Sequence, residues 1–224
     1  YHTITDCCNT GKVVSKYHSG GIAGYIHDSA IEKSFNNGTI DADQYSGGIG
    51  GYVLGGRILN CFNTGEINAA SDYAGGILAF DADAESQLKN CYNSGTVNCK
   101  EHSAPLSSIF GNRERTDVNC YYLADHNGSD GARTKECFSD GEVAYLLGDA
   151  YGQTIEKDMY PVFIDNNQVY KYTDCDGKTD IYSNKKINAV KTVTVRASTK
   201  KSGSITRICS FCGKKLSQHT IPEI

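Results

Sequence analysis

One short phrase recurs along this chain, and it constrains the fold more than any other feature. Residues 3–13 read TITDCCNTGKV, 30–40 read AIEKSFNNGTI, 57–68 read RILNCFNTGEIN and 87–97 read QLKNCYNSGTV. Residues 117–123, DVNCYYL, form a clipped fifth copy. Ile4, Ile31, Ile58 and Leu88 lead the copies; Asn9, Asn36, Asn63 and Asn93 sit in the middle; Gly11, Gly38, Gly65 and Gly95 follow two places later. Val13, Ile40, Ile67 and Val97 make a second apolar column. The glycines are 27, 27 and 30 residues apart, a period that marks a stacked-repeat architecture. A second half, GGIAGYI at 20–26, returns as GGIGGYV at 47–53 and GGILAF at 75–80, and erodes to APLSSIF at 104–110.

One repeat therefore holds three short β-prone runs, 58–62, 66–68 and 75–80. Runs this short cannot bury a face alone. Stacked on their own copies, they pair one rung along at about 4.8 Å, which makes a parallel β-solenoid. The asparagines are expected to form a ladder along an edge, each amide bonding the next. Asn tolerates the left-handed conformation at a bend, and the glycine two places on supplies freedom at φ > 0. The alternative, hairpin turns in a β-sandwich, does not require the same residue at the same place four times.

Composition agrees. Gly 24 and Tyr 15, with three prolines and no tryptophan, suit a turn-rich all-β chain. A net charge of −4 gives no basic footprint for nucleic acid. No apolar run approaches the roughly 20 residues of a membrane-spanning helix. The chain begins in mid-repeat, so a fragment of a larger protein is expected. Of ten cysteines, Cys7, Cys61, Cys91 and Cys120 share a column in which Ser34 replaces the second copy. That column reads as small, buried, unbridged packing residues. Strict strand alternation would turn Cys61 outward and Phe62 inward, so the reading requires an irregularity near Asn60. Cysteine count alone leaves the redox state open.

The pattern I-x-N-C-[FY]-N-x-G-x-[IV], followed by G-G-I-x-G-Y, resembles the GLUG repeat of bacterial surface proteins, which also occurs in the non-catalytic part of immunoglobulin A-cleaving metallopeptidases. The resemblance covers residues 3–123. It implies an extracellular, right-handed parallel β-helix and no activity of its own. The peptidase chemistry does not carry over, because the six histidines include no His-Glu-x-x-His pair.

Three segments are expected: repeats over 1–123, a mixed cap over 124–184 and a small β module over 185–224. The cap contains two short helical pieces, 134–138 and 141–147, and resembles the block that commonly succeeds such repeats in Firmicutes surface proteins. It would close the last rung, covering Leu106 and Val118, where an open β-edge invites aggregation. Tyr151, Tyr160, Tyr170 and Tyr172 could alternatively line a sugar platform. The last segment resembles a Firmicutes module that carries C-S-x-C-G-K ahead of an Ig-like repeat. Its Cys209 and Cys212 read as a local disulfide or free thiols at a hairpin tip, or as half a zinc site with Cys175 and His219.

Asp41, Asp43, Asp81, Asp83 and Glu85 read as solvated loop charge, since stacking would not gather them on one patch; on β-helical polysaccharide enzymes such carboxylates bind calcium or act as acid and base. Asp174 to Gly177 reads as a turn rather than a calcium loop. No catalytic residue, metal or cofactor is expected. The functional expectation is a non-enzymatic stalk or adhesin module at the bacterial surface, contacting host protein or glycan, with Tyr17, Tyr45 and Tyr73 as glycan contacts. The alternatives are a polysaccharide-acting enzyme and a passive spacer.

Overall fold

The computed structural model describes residues 2–82, 86–104, 107–109, 117–128, 130–163, 168–172, 182–184, 190–210 and 213–223. The chain divides into two compact units, Tyr1–Asn167 and Gln168–Ile224.

The first unit is a parallel β-solenoid of about four turns. Each turn has four faces rather than the three runs expected. The first face stacks Thr3–Thr5, Ala23–Glu32, Gly50–Leu59, Leu78–Asp81 and Ser107–Ile109, with Gln87–Lys89 beside the far half of Gly50–Leu59. The second stacks Cys8–Asn9, Phe35–Asn36, Phe62–Asn63, Tyr92–Asn93, Tyr121–Leu123 and Ala132–Arg133. The third stacks Val13–Ser15, Ile40–Ala42, Ile67–Ala69 and Val97–Cys99, and the fourth Ser19–Gly20, Ser46–Gly47, Tyr73–Gly75 and His102–Ala104. Equivalent columns are in register: Ile4 faces Ile31, Ile31 faces Ile58 and Ile58 faces Leu88. The longer third period is absorbed at two places. The corner from Ala69 to Ala74 holds one residue more than that from Ala42 to Ser46, and the connection from Asp81 to Gln87 holds two more than that from Val53 to Arg57.

The run 58–62 splits because Asn60 is left-handed, at φ 52. Asp6, Lys33, Asn90 and Asn119 occupy the same column with φ between 45 and 54. This corner reverses the alternation, so Cys61, Cys91 and Cys120 turn into the core beside Ile31, Ile58 and Leu88, while Phe62 faces outward. The column accepts Cys or Ser because each donates a hydrogen bond to the carbonyl two residues back: Ser34 Oγ to Glu32 at 2.8 Å, Cys61 and Cys91 Sγ to Leu59 and Lys89 at 3.3 Å. The cysteines are free thiols; Cys7, on the end rung, is exposed rather than buried as expected.

Asn36, Asn63 and Asn93 are buried. Their ladder runs from Asn9 Nδ2 to Asn36 Oδ1 at 2.7 Å, Asn36 to Asn63 at 2.7 Å and Asn63 to Asn93 at 2.8 Å. Within each rung the same amide closes a turn on the glycine. Asn63 Oδ1 accepts from Gly65 N at 3.2 Å and Asn63 Nδ2 donates to Gly65 O at 2.9 Å. Asn36 and Asn63 thus use both amide protons and accept two hydrogen bonds apiece, which is what makes a polar ladder tolerable inside the core. Neither the asparagines nor Gly11, Gly38, Gly65 and Gly95 adopt positive φ. The glycine requirement is steric: a Cβ on Gly65 would lie 2.0 Å from the Gly38 carbonyl oxygen.

Because the second face turns its aromatic column outward, it carries a ladder of Phe35, Phe62 and Tyr92, with centroids 4.9 and 5.0 Å apart and planes within 4°. The cap lies on this flank, and its Ala132–Arg133 strand adds to the last rung beside Tyr121–Leu123. Its short helices, α1 (Lys135–Ser139) and α2 (Glu142–Leu147), bury Phe138, Val143 and Leu147 against Phe62, Tyr92 and Tyr121. Tyr151 Oη donates to Asn90 O at 2.9 Å and Tyr92 Oη to Pro161 O at 2.5 Å. Val118 stays 47% exposed and Leu106 falls outside the described residues. The outward ladder is an apolar surface, and the cap covers it.

In the second unit, Val190–Val195, Gly203–Cys209 and Lys215–Ile221 form an antiparallel sheet, and Tyr170–Lys171 pairs with Tyr182–Ser183.

Candidate functional site

A second set of rings lies where the fourth face turns into the first. His18, Tyr45, Tyr73 and His102 precede equivalent positions of the fourth-face strands, while Tyr25, Tyr52 and Phe80 are in register on the first. Parallel pairing places each ring above the equivalent ring one rung away. Tyr45 stacks on Tyr73 at 5.8 Å, Tyr73 on His102 at 4.7 Å and Tyr25 on Tyr52 at 5.6 Å. The two columns also touch, Tyr45 edge-on to Tyr52 at 5.6 Å and Tyr73 tilted against Phe80 at 4.7 Å. Only Phe80 is buried, and Tyr25 is 51% exposed. Stacking hides ring faces, so the surface consists mainly of ring edges and phenol tips. The hydroxyls of Tyr25, Tyr45, Tyr52 and Tyr73 make no hydrogen bond to another described residue. Burial, with Asp72 nearby, raises the Tyr45 pKa, and burial lowers that of His18. At neutral pH the Tyr45 phenol is therefore neutral, and both donates and accepts.

Tyr45 and Tyr73 belong to this face. Tyr17 does not: it is 63% exposed and one position out of column, and His18 takes the place expected for it. Sequence reasoning missed His18, Tyr25, Tyr52 and His102. Tyr25 and Tyr52 were visible as the tyrosines of the two GGIxGY phrases, and a column-by-column alignment of the fourth face would have found the histidines.

Of the tyrosines suggested as a sugar platform, Tyr151 is fully buried in the core of the cap and offers no surface to a ligand. Asp81 is also buried, not solvated: it ends a core strand and accepts a hydrogen bond from Ser86 Oγ at 2.9 Å. Asp83, Glu85 and the segment 174–177 lie outside the described residues. On the third face, Asp41 pairs with Lys12 at 2.6 Å and accepts from Asn68 at 2.8 Å, and Asn98 donates to Asn68 at 2.9 Å. The Lys12 ammonium and the Asn68 amide hold the Asp41 carboxyl below its usual range. This ladder floors a groove of about 660 Å³. Cys209 is a buried thiol closing a hairpin, Gly213 N donating to its carbonyl at 3.0 Å, while Cys175 and Cys212 are outside the described residues. Among the described residues no group of three His, Cys, Asp or Glu side chains is placed to hold a metal, and no helix is long and apolar enough to cross a membrane.

Residues 42–68 match the GLUG motif. No curated protein matches the chain at a significant level. A solved structure of a candidate immunoglobulin A1 protease from Bacteroides ovatus aligns at 22% identity and a TM-score of 0.46, over 72% of this chain and 57% of the other. This chain thus spans little more than half the length of that protein.

Proposed function

We propose that this chain is a non-catalytic binding module of a secreted or surface-anchored bacterial protein, and that its bare aromatic face holds a host glycan. One observation carries the reading. The solenoid builds two aromatic ladders, covers one with its own cap and, among the described residues, leaves the other open with its phenol tips unpaired. Aromatic rings ending in a hydroxyl are suited to surfaces that contact both apolar and polar groups. A row of them one rung apart offers sugar hydroxyls repeated donors and acceptors. The GLUG motif at 42–68 supports placement on a secreted or surface protein. The absence of turnover is part of the proposal: the Asp41 carboxylate, on the floor of the open groove, is already paired with Lys12 and Asn68.

The test is a glycan array followed by titration of the best ligand. Tyr45→Ala/Tyr73→Ala should lose binding while Tyr17→Ala retains it, with unfolding midpoints checked for all three. Binding undiminished in the double variant, or no glycan retained at all, counts against the reading; retention of a host protein instead would favour a protein ligand. Turnover of pectic, mucin or glycosaminoglycan substrates that disappears in Asp81→Asn would overturn the non-enzymatic part.

A further inference from the structure

The cap does not seal the covered ladder completely. Between the Phe35–Phe62–Tyr92 stack and residues 157–163 it leaves a cleft of about 490 Å³, within the range of small-molecule sites, which are concave and mostly apolar with a few polar groups at the rim. Phe163 forms one wall, its ring 5.0 Å from Phe62 and 6.3 Å from Phe35, both at steep angles to the stack. Met159, 51% exposed, stands at the mouth. A methionine there is adaptable and favours contact with aromatic edges. Phe35 is the last ring of the ladder, because the next position in register is Cys8. It is only partly buried, whereas Phe62 and Tyr92 are closed in. The polar side chains of Lys157, Asn37 and Asp158 face the same cleft, and the Asp158 carboxylate already accepts from the Thr154 backbone N–H at 2.8 Å. Lys157 is exposed and makes no ion pair among the described residues. Asn37 accepts from Thr64 Oγ1 at 2.6 Å, which leaves its amide N–H groups free to donate.

We infer that this cleft binds a planar aromatic ring carrying a carboxylate a few bonds away, the ring seated against Phe35, Phe163 and Met159 and the carboxylate met by Lys157 and Asn37. Aromatic pairs favour the offset and tilted approaches that this wall provides. With the Asp158 carboxylate engaged by a backbone amide, the Lys157 ammonium and the Asn37 amide suit an anionic end. Two sources share this chemistry: a free aryl acid and the C-terminal aromatic residue of a peptide. The site is separate from the open aromatic face and does not depend on its proposed role.

The probe is 3-phenylpropionate, titrated into the full chain and followed by backbone amide chemical shifts. For a ligand of this size ordinary ligand efficiency gives a Kd of about 1 mM. Shifts should saturate and map to residues 35–37, 62–64 and 157–163. Met159→Glu, at an exposed position, should weaken binding at least about five-fold without altering the unfolding midpoint, and Phe35→Ala should weaken it as well, at a lower midpoint. Lys157→Gln should weaken the acid and leave 3-phenylpropanamide unaffected. Gly-Gly-Phe binding more tightly than both its C-terminal amide and the free acid identifies a peptide terminus as the source; equal affinity identifies the free acid. No saturable shifts, or binding unchanged in both Met159→Glu and Phe35→Ala, would overturn the site.

Discussion

Replacing Gly65 by alanine separates two explanations of the glycine column. If glycine were needed for backbone freedom at the turn, alanine should be equally harmful at Gly11, Gly38, Gly65 and Gly95. None of the four has positive φ, so the structure assigns the cost to the neighbouring rung instead. At Gly65 an added Cβ would lie 2.0 Å from Gly38 O and 2.8 Å from Asn36 Nδ2; at Gly11 its nearest neighbour would be Asn9 Oδ1 at 3.8 Å. Backbone atoms cannot yield as a flexible side chain does, so the rungs must separate locally. Overpacking of this kind costs about 1–3 kcal/mol. Moving Asn36 weakens its two amide bonds, to Gly38 O and Asn63 Oδ1, by about 1 kcal/mol each. Gly65→Ala should therefore lose about 3–5 kcal/mol, which lowers the unfolding midpoint of a unit this size by roughly 6–20 °C. Gly11→Ala should change stability by less than about 1 kcal/mol, and can gain through reduced unfolded-state entropy. The assay is thermal unfolding followed by circular dichroism at neutral pH. Equal losses at Gly11 and Gly65 would falsify the steric account.

Burial pushes the Cys61 thiol up to about 12 and raises Cys91, Tyr92 and Tyr151 in the same direction. The folded state then holds protons that the unfolded chain releases from near pH 9.0, so stability is complete below that pH and is lost as pH rises toward 12; the unfolding midpoint should fall across this range, and a flat profile would refute the assignment. Thiol reagent at pH 8 should modify Cys7 and Cys8 at once and Cys61 and Cys91 only after unfolding. Deleting residues 134–163 should leave Phe62 and Tyr92 bare and the solenoid aggregated, and a soluble, monomeric product of unchanged heat stability would show that the cap is dispensable.

The sequence by itself determined the stacking. Columns that recur every 27 to 30 residues place Ile on Ile, Asn on Asn and Gly on Gly, because parallel in-register pairing is the arrangement that brings each copy against its own equivalent. The directions of the side chains were not legible in the same way. They turn on Asn60 and its equivalents adopting left-handed φ, a choice for which Asp6 and Lys33 give no shared signal in residue type. Once that corner is set, cysteine points in, the aromatic column points out, and the asparagine ladder falls inside, where the Gly48 backbone packs against Asn63. The docking place of the cap is a consequence of the same corner. A sequence shows that apolar residues such as Phe138 and Leu147 need a partner surface, but which surface is bare depends on the tertiary placement of every rung. The open aromatic face is decided at the same level. Its rings come from two columns belonging to different strands, and the bend between the fourth and first faces is what brings them together.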